Sequence, residues 1–154
     1  MNITSTKAGL TGISGAATTH STGSSAILYS IRGRAYSKSQ ISGGTTPTTD
    51  AITGEDLALP PGKGTVIAWC LDASGDVNLA LGSVEDLSDD NDFMVAPQFP
   101  ILANHEFTAF AYTVHKAASS RSDNFRVGTD NWNSTGMTHT VVDVMALPRT
   151  PQID

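Results

Sequence analysis

Hydrophobic and polar positions divide the chain into two textures. Residues Met1 to Ser25 are almost all Thr, Ser, Gly and Ala, and their sizeable apolar groups are Ile3, Leu10 and Ile13. From Ala26 onward, short apolar bursts alternate with polar, turn-rich stretches. Ala26–Ser37 predicts a strand, because Ile27, Tyr29 and Ile31 alternate with Leu28, Ser30 and Arg32. Thr65–Leu71 is an apolar run of strand length and predicts a buried strand. Asp72–Asp76 reads as a turn and Val77–Gly82 as the returning strand of a hairpin. Glu106–Lys116 carries apolar groups on both faces, the pattern of a central strand covered on two sides. Phe125–Thr129 and Thr138–Met145 predict the last two strands, and Pro148 and Pro151 end the ordered body. The expected core is Ile27, Tyr29, Ile31, Ile67, Trp69, Phe107, Phe110, Tyr112, Val142 and Val144.

Short strands separated by turn signals, without a 3.6-residue period, predict an all-β protein. The expected form is an antiparallel β-sandwich or a jelly-roll-like barrel. The organisation reads as an extended arm over 1–25, a body over 26–148 and a tail over 149–154. Gly9, Gly12, Gly15 and Gly23 oppose a helix in the arm, at about 1 kcal/mol each relative to Ala. The arm is either a disordered tail or a segment that orders against a partner by adding a strand to its sheet. In the second reading Ile3, Leu10 and Ile13 are its anchors.

Composition narrows the functional classes. At 154 residues the chain suits one domain with a real core. Its net charge of -6 and scattered basic residues offer no positive stripe, so no nucleic-acid partner is expected. No segment approaches the roughly 20 apolar residues that span a bilayer, and no apolar signal region follows the early Lys7. Cys70 stands alone inside Val66–Leu71 and reads as a buried, inert thiol.

Tests for site chemistry mostly fail. Gly62-Lys63-Gly64-Thr65 lacks the first glycine and the following helix of a phosphate loop, so a tight turn is expected. His20, His105, His115 and His139 are dispersed without metal-ligand spacing, although any two could meet in the fold. Glu85, Asp86, Asp89, Asp90 and Asp92 lack the glycine and distal glutamate of a calcium loop and read as a solvated acidic loop. No serine sits in a nucleophile elbow, and no carboxylate pair lies in apolar surroundings. No enzyme, metal or cofactor is therefore expected. Trp132, between two asparagines, reads as a structural cap on the body, with an exposed sugar-stacking platform as the alternative.

Four stretches carry a resemblance: Phe110–Lys116, Phe125–Thr129, Trp132–Thr138 and Val142–Pro148, with Leu59–Lys63 and Ala96–Pro100 of similar flavour. Together they resemble structural proteins of tailed bacteriophage virions, and within that class the head decoration, or cement, proteins. The resemblance implies a β-rich homotrimer made in the host bacterial cytoplasm and placed on the outer surface of the capsid. There it would bind the major capsid protein and clamp neighbouring subunits against packed-DNA pressure. A tail-associated or receptor-binding β-module of the virion is the alternative, with Thr45–Asp56 or Asp130–Gly136 as its binding loops. A polysaccharide depolymerase would be the enzyme reading, and the chain is short for one.

Overall fold

The computed structural model describes residues 2–102 and 106–153. His105, one of the four candidate histidines, lies outside the described residues. Among those described there is no helix. The elements are β1 (Ile3–Thr4), β2 (Ile27–Ile31), β3 (Arg34–Lys38), β4 (Ala58–Leu59), β5 (Lys63–Leu71), β6 (Val77–Asp86), β7 (Thr108–Ala117), β8 (Phe125–Arg126) and β9 (Met137–Asp143). They form three antiparallel sheets, ordered β1-β2-β3, β4-β8 and β6-β5-β7-β9. In that order no sheet closes on itself.

The four-stranded sheet is the centre of the molecule. β5 and β7 are its inner strands and are buried almost throughout, which is why both read as apolar on two faces. Ile67, Trp69 and Leu71 of β5 point to a main core shared with Ile27, Tyr29 and Ile31 of β2. Val66, Ala68 and Cys70 point to the other face, with Ala109, Tyr112 and Val114. The β5–β7 register shifts between Trp69, opposite Ala111, and Cys70, opposite Ala109. The bulged residue is Phe110, and its ring joins Ala111 in the main core.

The second face is covered by irregular chain. Phe93, Phe99 and Leu102 from one side, and Val144, Leu147 and Ile153 from the other, pack against it. The Tyr112 hydroxyl accepts from the Gln152 amide at 2.8 Å. The C-terminal segment expected as a loose tail is thus part of this layer.

Two expectations about the N-terminal half are corrected. Ala26–Ser37 is not one strand but begins a hairpin that turns at Arg32-Gly33, with φ of 51° and 77°. These left-handed values fit a tight hairpin turn, matched to the twist of the paired strands. The arm is not free of the body. Ala8, Leu10 and Ile13 lie in the main core, and Thr4 is fully buried with its hydroxyl donating to the Ala109 carbonyl at 2.9 Å. The Leu10 amide donates to Asp143 Oδ1 at 3.0 Å. Small residues allow this close packing. Ala8 O accepts from Gly23 N at 2.8 Å, and a Cβ on Gly9 would lie 3.2 Å from the same nitrogen.

Of the expected core residues, Ile27, Tyr29, Ile31, Ile67, Trp69, Phe110 and Tyr112 are buried. Phe107, Val142 and Val144 are only partly buried, because they lie beside or beyond the strand ends or on the outermost strand. Burying each large apolar side chain contributes about 1.5–3 kcal/mol.

Candidate functional site

The densest grouping of chemistry-bearing side chains lies inside the main core, at one end of β7 and β9. His115 and His139 are cross-strand partners in that pair. Their Nδ1 atoms stand 2.6 Å apart. His115 Nε2 meets Thr113 Oγ1 at 2.5 Å, and Trp69 Nε1 donates to the same hydroxyl at 2.9 Å. His139 Nε2 lies 2.8 Å from the Trp132 carbonyl oxygen.

These contacts fix the protons. The Trp132 carbonyl can only accept, so His139 Nε2 carries hydrogen. In a neutral ring His139 Nδ1 then accepts, and His115 Nδ1 must donate to it. His115 Nε2 is left as an acceptor for the Thr113 hydroxyl, which itself accepts from Trp69. The result is a one-directional chain, Trp69 to Thr113 to His115 to His139 to the Trp132 carbonyl, in which every donor has an acceptor. This chain is written with both imidazoles neutral, the state that burial favours. Burial holds His115 well below the usual histidine range, with His139 acting in the same direction. Burial lowers His139 to about 4, against the opposing pull of its bond to the Trp132 carbonyl.

A hydroxyl beside an imidazole is also the geometry of an activated nucleophile. Here Thr113 and His115 are buried on all sides, at 0% and 1% exposed, so no substrate atom reaches the pair. The chain acts as a rigid, fully satisfied polar network within the core.

Trp132 is the hub of this network. It is buried, its Nε1 donates to the Thr19 carbonyl at 2.8 Å, and its ring lies 5.3–6.4 Å from Trp69, Phe125, His115 and His139. The cap reading holds, and burial removes the exposed sugar platform. The loop carrying it is tied to the N-terminal segment, because Trp132 N donates to the Ala17 carbonyl and Asn133 N to the Gly15 carbonyl.

The fourth histidine stands apart from the pair. His20 is buried at the end of the N-terminal segment, with its ring edge-on to Trp69 at 5.0 Å. Burial lowers it to about 4, and Lys38 adds to the effect.

The remaining sequence candidates separate. Pro60-Pro61-Gly62 forms a turn into β5, Gly62 has φ 73°, and the Lys63 ammonium pairs with Asp86 at 2.5 Å. Part of the expected acidic loop is strand, since β6 runs to Asp86. Asp92 pairs with Lys116 at 3.5 Å. No group of three His, Cys, Asp or Glu side chains that could hold a metal ion occurs among the described residues. Cys70 is buried, and burial pushes its thiol far above the ordinary range. Of the expected arm anchors, Ile3 is half-buried in β1, while Leu10 and Ile13 belong to the core. The three therefore form no exposed set.

Reading by sequence spacing missed the pairing of His115 with His139. The signal available was that both sit at matching positions on two predicted strands. The other missed feature is a strap over residues 93–102. Its Phe93, Phe99 and Leu102 hold the sheet, while Met94, Val95 and Ile101 are 68%, 62% and 86% exposed. No family model, curated protein or solved structure matches this chain.

Proposed function

We propose that this chain is a phage head decoration protein. In this reading it is a β-sandwich subunit, a homotrimer in its assembled form, seated on the outer surface of the capsid. It clamps neighbouring major capsid subunits and carries no catalytic role. Apart from the sequence resemblance, one observation supports the reading. Exposed large apolar side chains concentrate on the strap. Met94, Val95 and Ile101 are the three most exposed of their kind among the described residues. Inward-facing neighbours already anchor the strap, so these three side chains are not needed for folding. Exposed apolar clusters of this kind mark interaction sites, and methionine adapts to an irregular partner surface. The capsid contact thus moves from Ile3, Leu10 and Ile13 to the strap.

Co-sedimentation of the full chain with expanded, empty heads of the parent phage tests this. The wild-type chain should pellet with heads. The Met94→Asp, Ile101→Asp double variant should stay folded and remain in the supernatant. Failure of the wild-type chain to pellet would sink the reading.

One feature favours the receptor-binding alternative. An open cleft of about 680 Å³ lies at the β2–β3 hairpin, lined by Arg34, Tyr36, Asn78, Glu106 and Phe107 among others. Aromatic rings beside amide, guanidinium and carboxylate groups are the composition of a glycan site. A glycan array positive for the full chain, with no head binding, would select that reading.

A further inference from the structure

A strand at the edge of a sheet carries backbone groups that can pair with a further strand. The longer strands present three such edges, on β6, β3 and β9. The β6 edge is already closed. Leu79 O accepts from Ala51 N at 2.8 Å, Leu81 N donates to Asp50 Oδ1 at 3.1 Å, and Ser83 N donates to Gln98 O at 3.0 Å. The last of these bonds belongs to the strap, which therefore meets the sheet along β6.

The β9 edge is open. Ala118 N donates to Gly136 O at 2.8 Å and Val144 N donates to Phe110 O at 3.0 Å, and both pairs continue the β7–β9 register. In an antiparallel ladder alternate residues turn both backbone groups to the same neighbour. Thr138, Thr140 and Val142 therefore bond β7, while His139 and Val141 turn their N–H and C=O outward. Those four groups have no partner among the described residues. Thr138 and Thr140 are exposed, and His139 and Val141 are half-buried. β9 also lacks the lysine, proline or bulge that commonly guards an edge.

β3 is open as well, but it is guarded. Ser5 N donates to Leu28 O at 2.7 Å, which fixes the phase of β2 and leaves Ala35 and Ser37 as the outward residues of β3. Two copies pairing there about a two-fold axis through Tyr36 would set Arg34 opposite Lys38, and like charges directly opposite repel. The same operation on β9, about an axis through Thr140, sets His139 opposite Val141, Thr140 opposite Thr140, Thr138 opposite Val142 and Met137 opposite Asp143. No like charges meet, and the outward groups of His139 and Val141 satisfy each other in two doubly hydrogen-bonded pairs. We infer that β9 is a self-association edge, where a second copy of this chain adds its own β9 antiparallel and joins two four-stranded sheets into one. Two-fold contacts of this isologous kind are the commonest in homo-oligomers. The strap-bearing β6 is the opposite edge of the sheet, so the inference stands apart from the capsid contact. A two-fold contact does not close a trimer; it doubles whatever mass the chain otherwise has.

The test is sedimentation equilibrium of the full chain at pH 7, over about 10–500 μM, the range suited to a small interface. The wild-type mass should rise with concentration to twice its value at dilution. Thr140→Lys and Thr140→Glu each place like charges on the axis, and each should hold the lower mass throughout. Thr140 is exposed, so neither change disturbs the core. An equimolar mixture of the two variants sets Lys against Glu and should regain the doubled mass at low salt. Ala35→Lys, on the β3 edge, should behave as wild type. The masses are read without capsids, so they stand or fall separately from the pelleting assay. Equal masses for wild type and Thr140→Lys at every concentration, a mixture that keeps the lower mass, or loss of doubling in Ala35→Lys overturns the inference.

Discussion

Deleting residues 1–25 should unfold this protein. A free arm could be removed without harm, but this segment supplies Leu10 and Ile13 to the main core, at 4% and 3% exposed. Losing two such side chains removes about 3–6 kcal/mol of burial. The deletion also strips the Thr19 and Ala17 carbonyls from Trp132, whose Nε1 and N donate to them. Two buried donors left unmet cost about 1–3 kcal/mol each. The sum is of the order of the whole stability of a domain, about 5–15 kcal/mol. Urea unfolding followed by tryptophan fluorescence is a direct assay, since Trp69 and Trp132 are both buried at the affected site. The deletion variant should show red-shifted emission and no cooperative transition. The milder Leu10→Ala should fold and lose about 2–5 kcal/mol. With a slope of about 1–3 kcal/mol per molar urea, its midpoint falls by at least about 0.7 M. A deletion variant with wild-type emission and an unchanged midpoint would refute the placement of this segment in the core.

Other outcomes follow from the same contacts. Acid should destabilise the fold. His139 titrates near 4 in the folded chain and near 6.5 when unfolded, so between those values the unfolded state binds more protons. Its contribution is complete above about pH 6.5 and shrinks by about 3 kcal/mol as pH falls to 4, with His20 and His115 acting in the same direction. Urea midpoints at pH 7, 5.5 and 4 should fall in that order, and a flat series would contradict the neutral network. Thr113→Val should cost about 1–3 kcal/mol by leaving Trp69 Nε1 without an acceptor, read as a lower midpoint at pH 7. Cys70 should resist iodoacetamide in the native chain and react only after unfolding, since its thiol is fully enclosed.

The strands that form the central sheet were legible because burial on both faces leaves an uninterrupted apolar run. β5, β7 and the turn through Asp72–Asp76 appear within a residue or two of their predicted places, whereas β6 runs four residues beyond the expected end at Gly82. The Arg32-Gly33 turn was hidden because arginine is not a habitual left-handed residue, and the strand pattern ran on through it. The N-terminal segment was misread for a physical reason. Small side chains look like exposed linker, yet Gly9 and Gly23 serve a close backbone approach that no composition reports. Leu10 and Ile13 are too sparse to set a period, so nothing in their spacing reveals what they face. The histidine pair depends on a register joining residues 24 apart in sequence, which only the β7–β9 pairing supplies.

The most direct measurement of the functional reading is a density map of the assembled phage particle at a resolution that traces strands. The account predicts this fold on the outer capsid surface where capsomers meet, with residues 93–102 against the major capsid protein and residues 2–25 within the same subunit's core. Density for the chain in the tail, or its absence from the particle, would contradict it.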